Sequence, residues 1–298
     1  MTNSLWLKLI KDRRQNDPVT PPADANLCLP QISGIKAVVF DVYGTLFSSG
    51  VGDISLATED NRDTAIRAVL SDNGVQILAS AEGIRFDGIL HDLIHQHQNR
   101  RRADGIEYPE VEIRAVWSDL IESLRAQGLI EAQIEPAIDT LVIDYETRVN
   151  AIQPMPELAE VLSELRARGL TLSIISNAQF YTPLLFSAFL GKNIDELGFC
   201  SKCNVWSYAE LEGKPSQQLY QLAAERLEKH HRIPAEACLY VGNDMRNDIW
   251  PARALGFRTA LFAGDHLSLR RRKNHPACAK LQADAEITEL KQILEMID

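Results

Sequence analysis

Ile35-Lys36-Ala37-Val38-Val39-Phe40-Asp41-Val42-Tyr43-Gly44-Thr45-Leu46-Phe47 is the stretch on which the fold turns. Its first half is an apolar, β-branched run, the pattern of a strand buried on both faces of a parallel sheet. The run stops at a carboxylate, and Gly44 permits a tight backbone turn just beyond it. Short runs of the same kind recur late in the chain, at residues 172–175, 238–241 and 259–262, and more weakly at 285–287. Helical patterns lie between them, including residues 156–168 and 217–228. Strand–helix alternation of this kind predicts a doubly wound α/β sheet. In such a sheet ligands bind beyond the carboxyl ends of the strands.

Between the first strand and the second, residues 50–150 read differently. Helical periodicity dominates at 65–70, 86–96, 111–124 and 138–149, and strand-like runs are few. Within the last of these, Ile138, Leu141, Val142, Tyr145 and Val149 share one helical face. An all-helical insertion placed there would form a lid over the strand ends. At the other end of the chain's order, residues 5–10 suggest a short amphipathic helix. Lys8 interrupts its apolar run and Lys11, Asp12, Arg13 and Arg14 follow it, without the small-residue cleavage site of an export signal. Residues 17–30, rich in Pro, Asp and Asn, read as a linker.

Composition narrows the function classes. In 298 residues, 45% hydrophobic and 24% charged, the chain has the make-up of an ordinary globular protein. Its length favours a large domain plus an insertion over one core. The formal net charge of −10 disfavours nucleic acid as a partner. Apolar runs fall short of the ~18 residues that span a bilayer, so a membrane partner is not expected. Five cysteines without a paired framework of spacings argue against a disulfide scaffold, and a cytoplasmic location is expected.

Four polar clusters border the strands. Asp41, at the end of the first, can approach a substrate as a nucleophile. Ser176 and Asn177, after residues 172–175, can hold an anionic oxygen together with backbone N–H groups. Lys214, in Gly213-Lys214-Pro215-Ser216, can keep Asp41 ionised and offset negative charge on a substrate. Asp244 and Asp248, four apart on a turn after residue 241, make an oxygen-rich site for a hard divalent cation. Each cluster alone is a common turn, cap or surface charge; their order along one sheet is what brings them together.

Taken together, these segments resemble the haloacid dehalogenase-like (HAD) hydrolase superfamily: FDVYGTLF at 40–47, IISN at 174–177, GKP at 213–215 and VGNDMRNDIWPARALGF at 241–257. The resemblance implies a Rossmann-like parallel-sheet core with helices on both faces, formed by residues 35–49 and 152–298. An all-helical cap would occupy 50–151, with residues 1–34 as an N-terminal extension and linker. It implies a catalytic set of Asp41, Tyr43, Thr45, Ser176 and Lys214, with Ser176, Asn177 and Lys214 binding substrate. A Mg²⁺ cofactor would be held by Asp41, the main-chain carbonyl of Tyr43, Asp244 and Asp248.

Two positions depart from the phosphatase pattern of that superfamily. Its phosphatases carry a second Asp where this chain has Tyr43, to protonate the leaving oxygen and then activate water. General acid catalysis of that kind is worth about 10²–10⁴-fold. A halide needs no proton, and the dehalogenases of the superfamily resemble this chain at Asp-x-Tyr-Gly-Thr. Those dehalogenases lack the paired acids that Asp244 and Asp248 supply here, and three clustered carboxylates against Lys214 call for a cation. Asn243 stands where many members place the first acid, and Asp244 is taken to serve instead. The expected function is therefore a Mg²⁺-dependent phosphatase acting on a small anionic, phosphorylated metabolite through an aspartyl-phosphate on Asp41. The alternatives are a metal-independent 2-haloacid dehalogenase and a catalytically silent interaction protein.

Other clusters read as ordinary structure. His91, His95 and His97 suggest a polar helix face, Arg100-Arg101-Arg102 and Arg270-Arg271-Arg272-Lys273 solvated basic runs, and Trp117 and Phe86 core. Cys200-Ser201-Lys202-Cys203 has CxxC spacing but no second half of a zinc site in sequence, and reads as two reduced thiols near a strand.

Overall fold

The computed structural model describes residues 2–15, 17–49 and 59–298. Its strands are β1 (Ala37–Phe40), β2 (Phe47–Ser49), β3 (Val75–Ile77), β4 (Ile130–Ala132), β5 (Ile152–Pro154), β6 (Thr171–Ser176), β7 (Val205–Trp206), β8 (Cys238–Gly242), β9 (Arg258–Phe262) and β10 (Ala285–Ile287). Six of them form one sheet in the order β10-β9-β8-β1-β6-β7, with every neighbouring pair parallel. The strand-like runs of the sequence thus become β1, β6, β8, β9 and β10, a Rossmann-like α/β core as expected.

Side-chain alternation along β1 explains why this strand is apolar throughout. Val38 and Phe40 join one buried cluster and Ala37 and Val39 another. Leu239 and Val241 of β8 fall with the first cluster, Cys238 and Tyr240 with the second. Helix Leu158–Ala167 covers the first face through Val161, Leu162 and Leu165, and helix Gln217–His231 covers the second through Leu219, Tyr220, Ala223 and Leu227. A strand sandwiched in this way exposes neither face to water, so it carries no polar period.

Segment 59–149 contains the expected helices Glu59–Asp72, Phe86–Ala103, Ile113–Ala126 and Ile138–Val149. They pack on one another around Trp117, Leu120, Ile66 and Leu70, all fully buried. The segment also holds a short antiparallel pair, β3 with β4, that the helical reading did not include. Strands of three residues are too short to impose a period of two on the sequence. The start expected for this insertion, residue 50, lies outside the described residues. A second antiparallel pair, β2 with β5, joins the two connections between the inserted segment and the sheet, and Ser49 Oγ donates to Asn150 Oδ1 beside it at 2.6 Å.

Helix Thr2–Asp12 lies against helices Ile138–Val149 and Thr182–Leu190. Trp6 Nε1 donates to Thr140 Oγ1 at 3.1 Å, and Arg13 donates to Thr147 Oγ1 at 2.9 Å and pairs with Asp144. Among the described residues no helix is long and apolar enough to cross a membrane.

The turn after β1 depends on Gly44, whose φ is +80° and whose N–H donates to Phe47 O at 2.7 Å. A side chain there would overlap Asn243 and Ser268, which close over the turn. Gly44→Ala is expected to destabilise the protein by at least about 1–2 kcal/mol, the cost of holding an L-residue in the left-handed region. Urea unfolding monitored by circular dichroism checks this.

Candidate active site

Because the strands of the large sheet are parallel, their carboxyl ends meet at one edge, and three of the four sequence clusters follow β1, β6 and β8 there. Lys214, from the loop before helix Gln217–His231, completes the group. Its Nζ lies 2.7 Å from Asp41 Oδ1 and 2.6 Å from Asp248 Oδ1. Ser176 Oγ donates to the same Asp41 oxygen at 2.9 Å, and Tyr240 OH donates to Asp248 Oδ1 at 3.0 Å. All of these side chains are nearly inaccessible, Asp41 at 5%, Lys214 at 8% and Asp248 at 1%. Burial acts to lower the Lys214 pKa, but the charges of Asp248 and Asp41 outweigh it and hold the ammonium protonated.

Local sequence makes the arrangement possible. Asp248 tucks beneath Gly242, where a Cβ would come within 2.5 Å of its carboxyl carbon. Its Oδ2 accepts from the Asp244 N–H at 2.9 Å. Asn177 Oδ1 accepts from the Lys214 N–H at 2.7 Å, which fixes the lysine's backbone against the end of β6. Asp244 caps the helical turn Met245–Ile249 through Arg246 N at 2.8 Å and Asn247 N at 3.2 Å.

Asp244 meets a partner that sequence reading assigned to a solvated loop. Arg272 Nη2 lies 2.7 Å from Asp244 Oδ2. The basic run folds back along the acidic loop, with Arg270 N donating to Asn243 O and Met245 N to Arg270 O, each at 2.9 Å. Arg271 pairs with Glu286 at 2.6 Å. The three acids therefore face two cations, Lys214 and Arg272, rather than the lysine alone.

Asp41, Asp244 and Lys214 line a cavity of about 420 Å³ together with Asn177, Arg270 and Arg272. Segment 59–149 contributes Ile94, Gln98 and Glu146 to the same lining. Glu146 accepts a hydrogen bond from Tyr181 OH at 3.0 Å. Burial lifts its pKa from the usual carboxylate range to about 7, against the lowering effect of that hydrogen bond. Tyr43 OH pairs with Thr182 Oγ1 at 2.9 Å, and burial raises its pKa, so it stays a neutral phenol.

Of the sequence-derived site residues, Asp41, Tyr43, Asn177, Lys214, Asp244 and Asp248 all line this cavity, and Ser176 reaches it through Asp41. Thr45 is different: it is fully buried and its hydroxyl has no hydrogen-bond partner among the described residues. Asp248 engages Lys214 and Tyr240 with one oxygen and the Asp244 N–H with the other. The oxygens of Asp41 and Asp244 suit a hard divalent cation; Arg272 now shares Asp244. Sequence reading missed Glu146, Tyr181 and Arg272. Trp117 and Phe86 are core, as expected. His97 pairs with Asp119 at 2.8 Å, and His91 with His95 at 3.1 Å.

The haloacid dehalogenase-like hydrolase model matches residues 35–256, and the chain belongs to that family of hydrolases. A ribulose-1,5-bisphosphate 5-phosphatase of Halopiger xanaduensis is 27% identical over 145 residues, 48% of this chain and 56% of the relative. The matched stretch thus spans little more than half of the relative's length. The 2-haloacid dehalogenase of Pseudomonas syringae pv. Tomato superposes with a TM-score of 0.54 at 20% identity, over 88% of this chain and 97% of that one. For a HAD phosphatase from Thermococcus onnurineus the TM-score is 0.48 at 17% identity, over 88% and 99%.

Glu146 also sets an expectation for stability. Its folded pKa lies above its unfolded one, so the folded state binds the extra proton between roughly pH 4.5 and 7. Stability from this group is present below that window and is lost as pH rises through about 7. Glu146→Gln is expected to flatten that part of the profile, as measured by chemical denaturation across the pH series.

Proposed function

We propose that the protein is a phosphoester hydrolase for small anionic metabolites, with Asp41 as the nucleophile. The observation that carries this reading is the presence of Asp41 and Asp244 on one cavity that also holds a carboxyl, Glu146, lifted to about 7 and so able to carry a proton near neutrality. A phosphoester needs all three: a nucleophile, a hard-oxygen cation site, and a proton for the departing alkoxide. A carbon–halogen bond needs only the first.

In this mechanism Lys214 and Ser176 hold one Asp41 oxygen, which orients the other for in-line attack on phosphorus. The Asp41–phosphorus bond forms as the ester bond to the alcohol breaks. Glu146 gives its proton to the leaving oxygen, supplying what a second Asp at position 43 would supply. As a carboxylate it then takes a proton from the water that attacks the aspartyl-phosphate, releasing phosphate and restoring Asp41. Asp248 acts through Lys214 and the Asp244 backbone as a positioning residue. Mg²⁺, held by Asp41, the Tyr43 carbonyl and Asp244, would neutralise charge on the phosphoryl oxygens when bound.

In the same reading residues 50–151 are a cap and residues 35–49 and 152–298 the catalytic core. The sharing of one cavity by Glu146 and Asp41 supports this division. Arg270 and Arg272 on the core side offer positive charge for a second anionic group. With the name of the Halopiger relative, that makes sugar bisphosphates the first substrates to try.

A second reading, halide displacement from a 2-haloacid, is favoured by Tyr43 two residues after the nucleophile. Purified protein is offered a sugar bisphosphate, a simple alkyl phosphate and 2-chloropropionate, each with Mg²⁺ or with EDTA. Phosphate release that requires Mg²⁺ and falls by about 10⁴-fold or more in Asp41→Asn is expected. Halide release unaffected by EDTA, or silence on all three, overturns the proposal. Glu146→Gln is expected to slow alkyl phosphate hydrolysis by about 10²–10⁴-fold and aryl phosphate hydrolysis far less, since a phenolate leaves without a full proton. Equal losses on both would remove Glu146 from the role of proton donor.

A further inference from the structure

The structure brings His231 to the two thiols of the Cys200-Ser201-Lys202-Cys203 turn. The Cys200 and Cys203 sulfurs stand 2.7 Å apart, and His231 Nε2 is 3.2 Å from Cys200 Sγ. All three ligand atoms lie within 4.8 Å of one another. Both thiols are free of disulfides.

The turn that presents them is fixed before any ligand arrives. Cys203 N donates to Cys200 O at 2.8 Å and Asn204 N to the same oxygen at 3.1 Å. Cys200 N donates to Leu172 O at 2.8 Å, and Ser173 Oγ donates to Cys203 O at 2.9 Å. The turn is thus bound to β6 on both sides. His231 is the last residue of helix Gln217–His231, so the group joins two elements distant in sequence. Cys203 is buried, Cys200 half-buried and His231 exposed, which leaves one side of the cluster open to water.

We infer that Cys200, Cys203 and His231 form a binding site for a thiophilic d¹⁰ cation of the Zn²⁺ type, with solvent in the fourth position. Two sulfurs and one imidazole nitrogen match the soft and borderline ligands such an ion prefers and exclude Mg²⁺ or Ca²⁺. Two thiols become thiolates on binding, so the ion's charge is balanced and two protons leave. Helix Gln217–His231 spans about 22 Å at 1.5 Å per residue, and its first residue follows three positions after Lys214. The cation would therefore pin the far end of the helix to the turn before β7 without reaching the catalytic cavity.

The test uses the full chain, treated with a phosphine reductant and a chelator, then titrated with Co²⁺ without oxygen. One equivalent is expected to produce thiolate-to-cobalt charge-transfer absorption with tetrahedral d–d bands, both erased by one equivalent of Zn²⁺. Two protons per ion should appear in weak buffer. Cys200→Ser should lose about half of the charge-transfer intensity. His231→Asn, at an exposed position, should keep that band but weaken binding by more than the roughly 10–100-fold that losing an outer hydrogen-bond partner costs. Zn²⁺ should raise the melting temperature of the wild type more than that of Cys200→Ser, with hydrolase activity unchanged in both variants. Absence of the charge-transfer band overturns the inference, as does a band unaltered in Cys200→Ser and His231→Asn. So does a Cys200–Cys203 disulfide in fresh protein that takes up no cobalt once reduced.

Discussion

Lys214 is held between two buried carboxylates, and the carboxyl-terminal edge of the sheet is organised around that contact. An unpaired charge at these depths costs several kcal/mol, so the lysine and the two acids must be assembled together. Asp41 comes from the end of β1 and Asp248 from the turn beyond β8. The pairing is therefore possible only in a sheet that sets those strands side by side, as β1 and β8 are. Ser176 and Tyr240 complete the oxygens' hydrogen bonds. A network satisfied to this extent gives the Asp41 carboxylate one orientation.

Surrounding that fixed centre are groups whose charge is less committed. Arg272 binds Asp244 from a loop and is itself partly exposed, so its pairing is weaker than that of Lys214. Glu146 lines the same cavity with its carboxyl near the neutral–ionised boundary. The chain as a whole carries a net charge of −10, and within this cavity Lys214, Arg270 and Arg272 supply positive charge against the acids. An anion entering it meets local cations rather than the overall field, which is where short-range electrostatics outweighs net charge.

The parts of this site that could be read in sequence are those where a strand ends in a functional side chain. Asp41, Ser176 and Asp244 each follow a buried apolar run, and the run announces the residue after it. Arg272 has no such marker: it is 28 positions from Asp244, beyond β9 and in a loop of its own, and a run of basic residues reads as solvated until the fold bends it back. Glu146 hid for another reason. It lies on a helix whose apolar face includes its neighbour Tyr145, and periodicity records that face while saying nothing of what its polar members touch. The two-residue strand β7 is too brief for any pattern. His231 lies 28 residues beyond Cys203, so the CxxC pair showed no partner until the helix placed one.

The amino-terminal helix Thr2–Asp12 ties together parts of the chain far apart in sequence. It rests at once on Ile138–Val149, from the inserted segment, and on Thr182–Leu190, beside the large sheet. Any swing of one relative to the other has to drag this helix along or peel it from one of its seats, breaking the Trp6–Thr140 hydrogen bond if it stays with the sheet. The helix thus holds Ile138–Val149 and Thr182–Leu190 together through one set of contacts, in addition to the β2–β5 pairing.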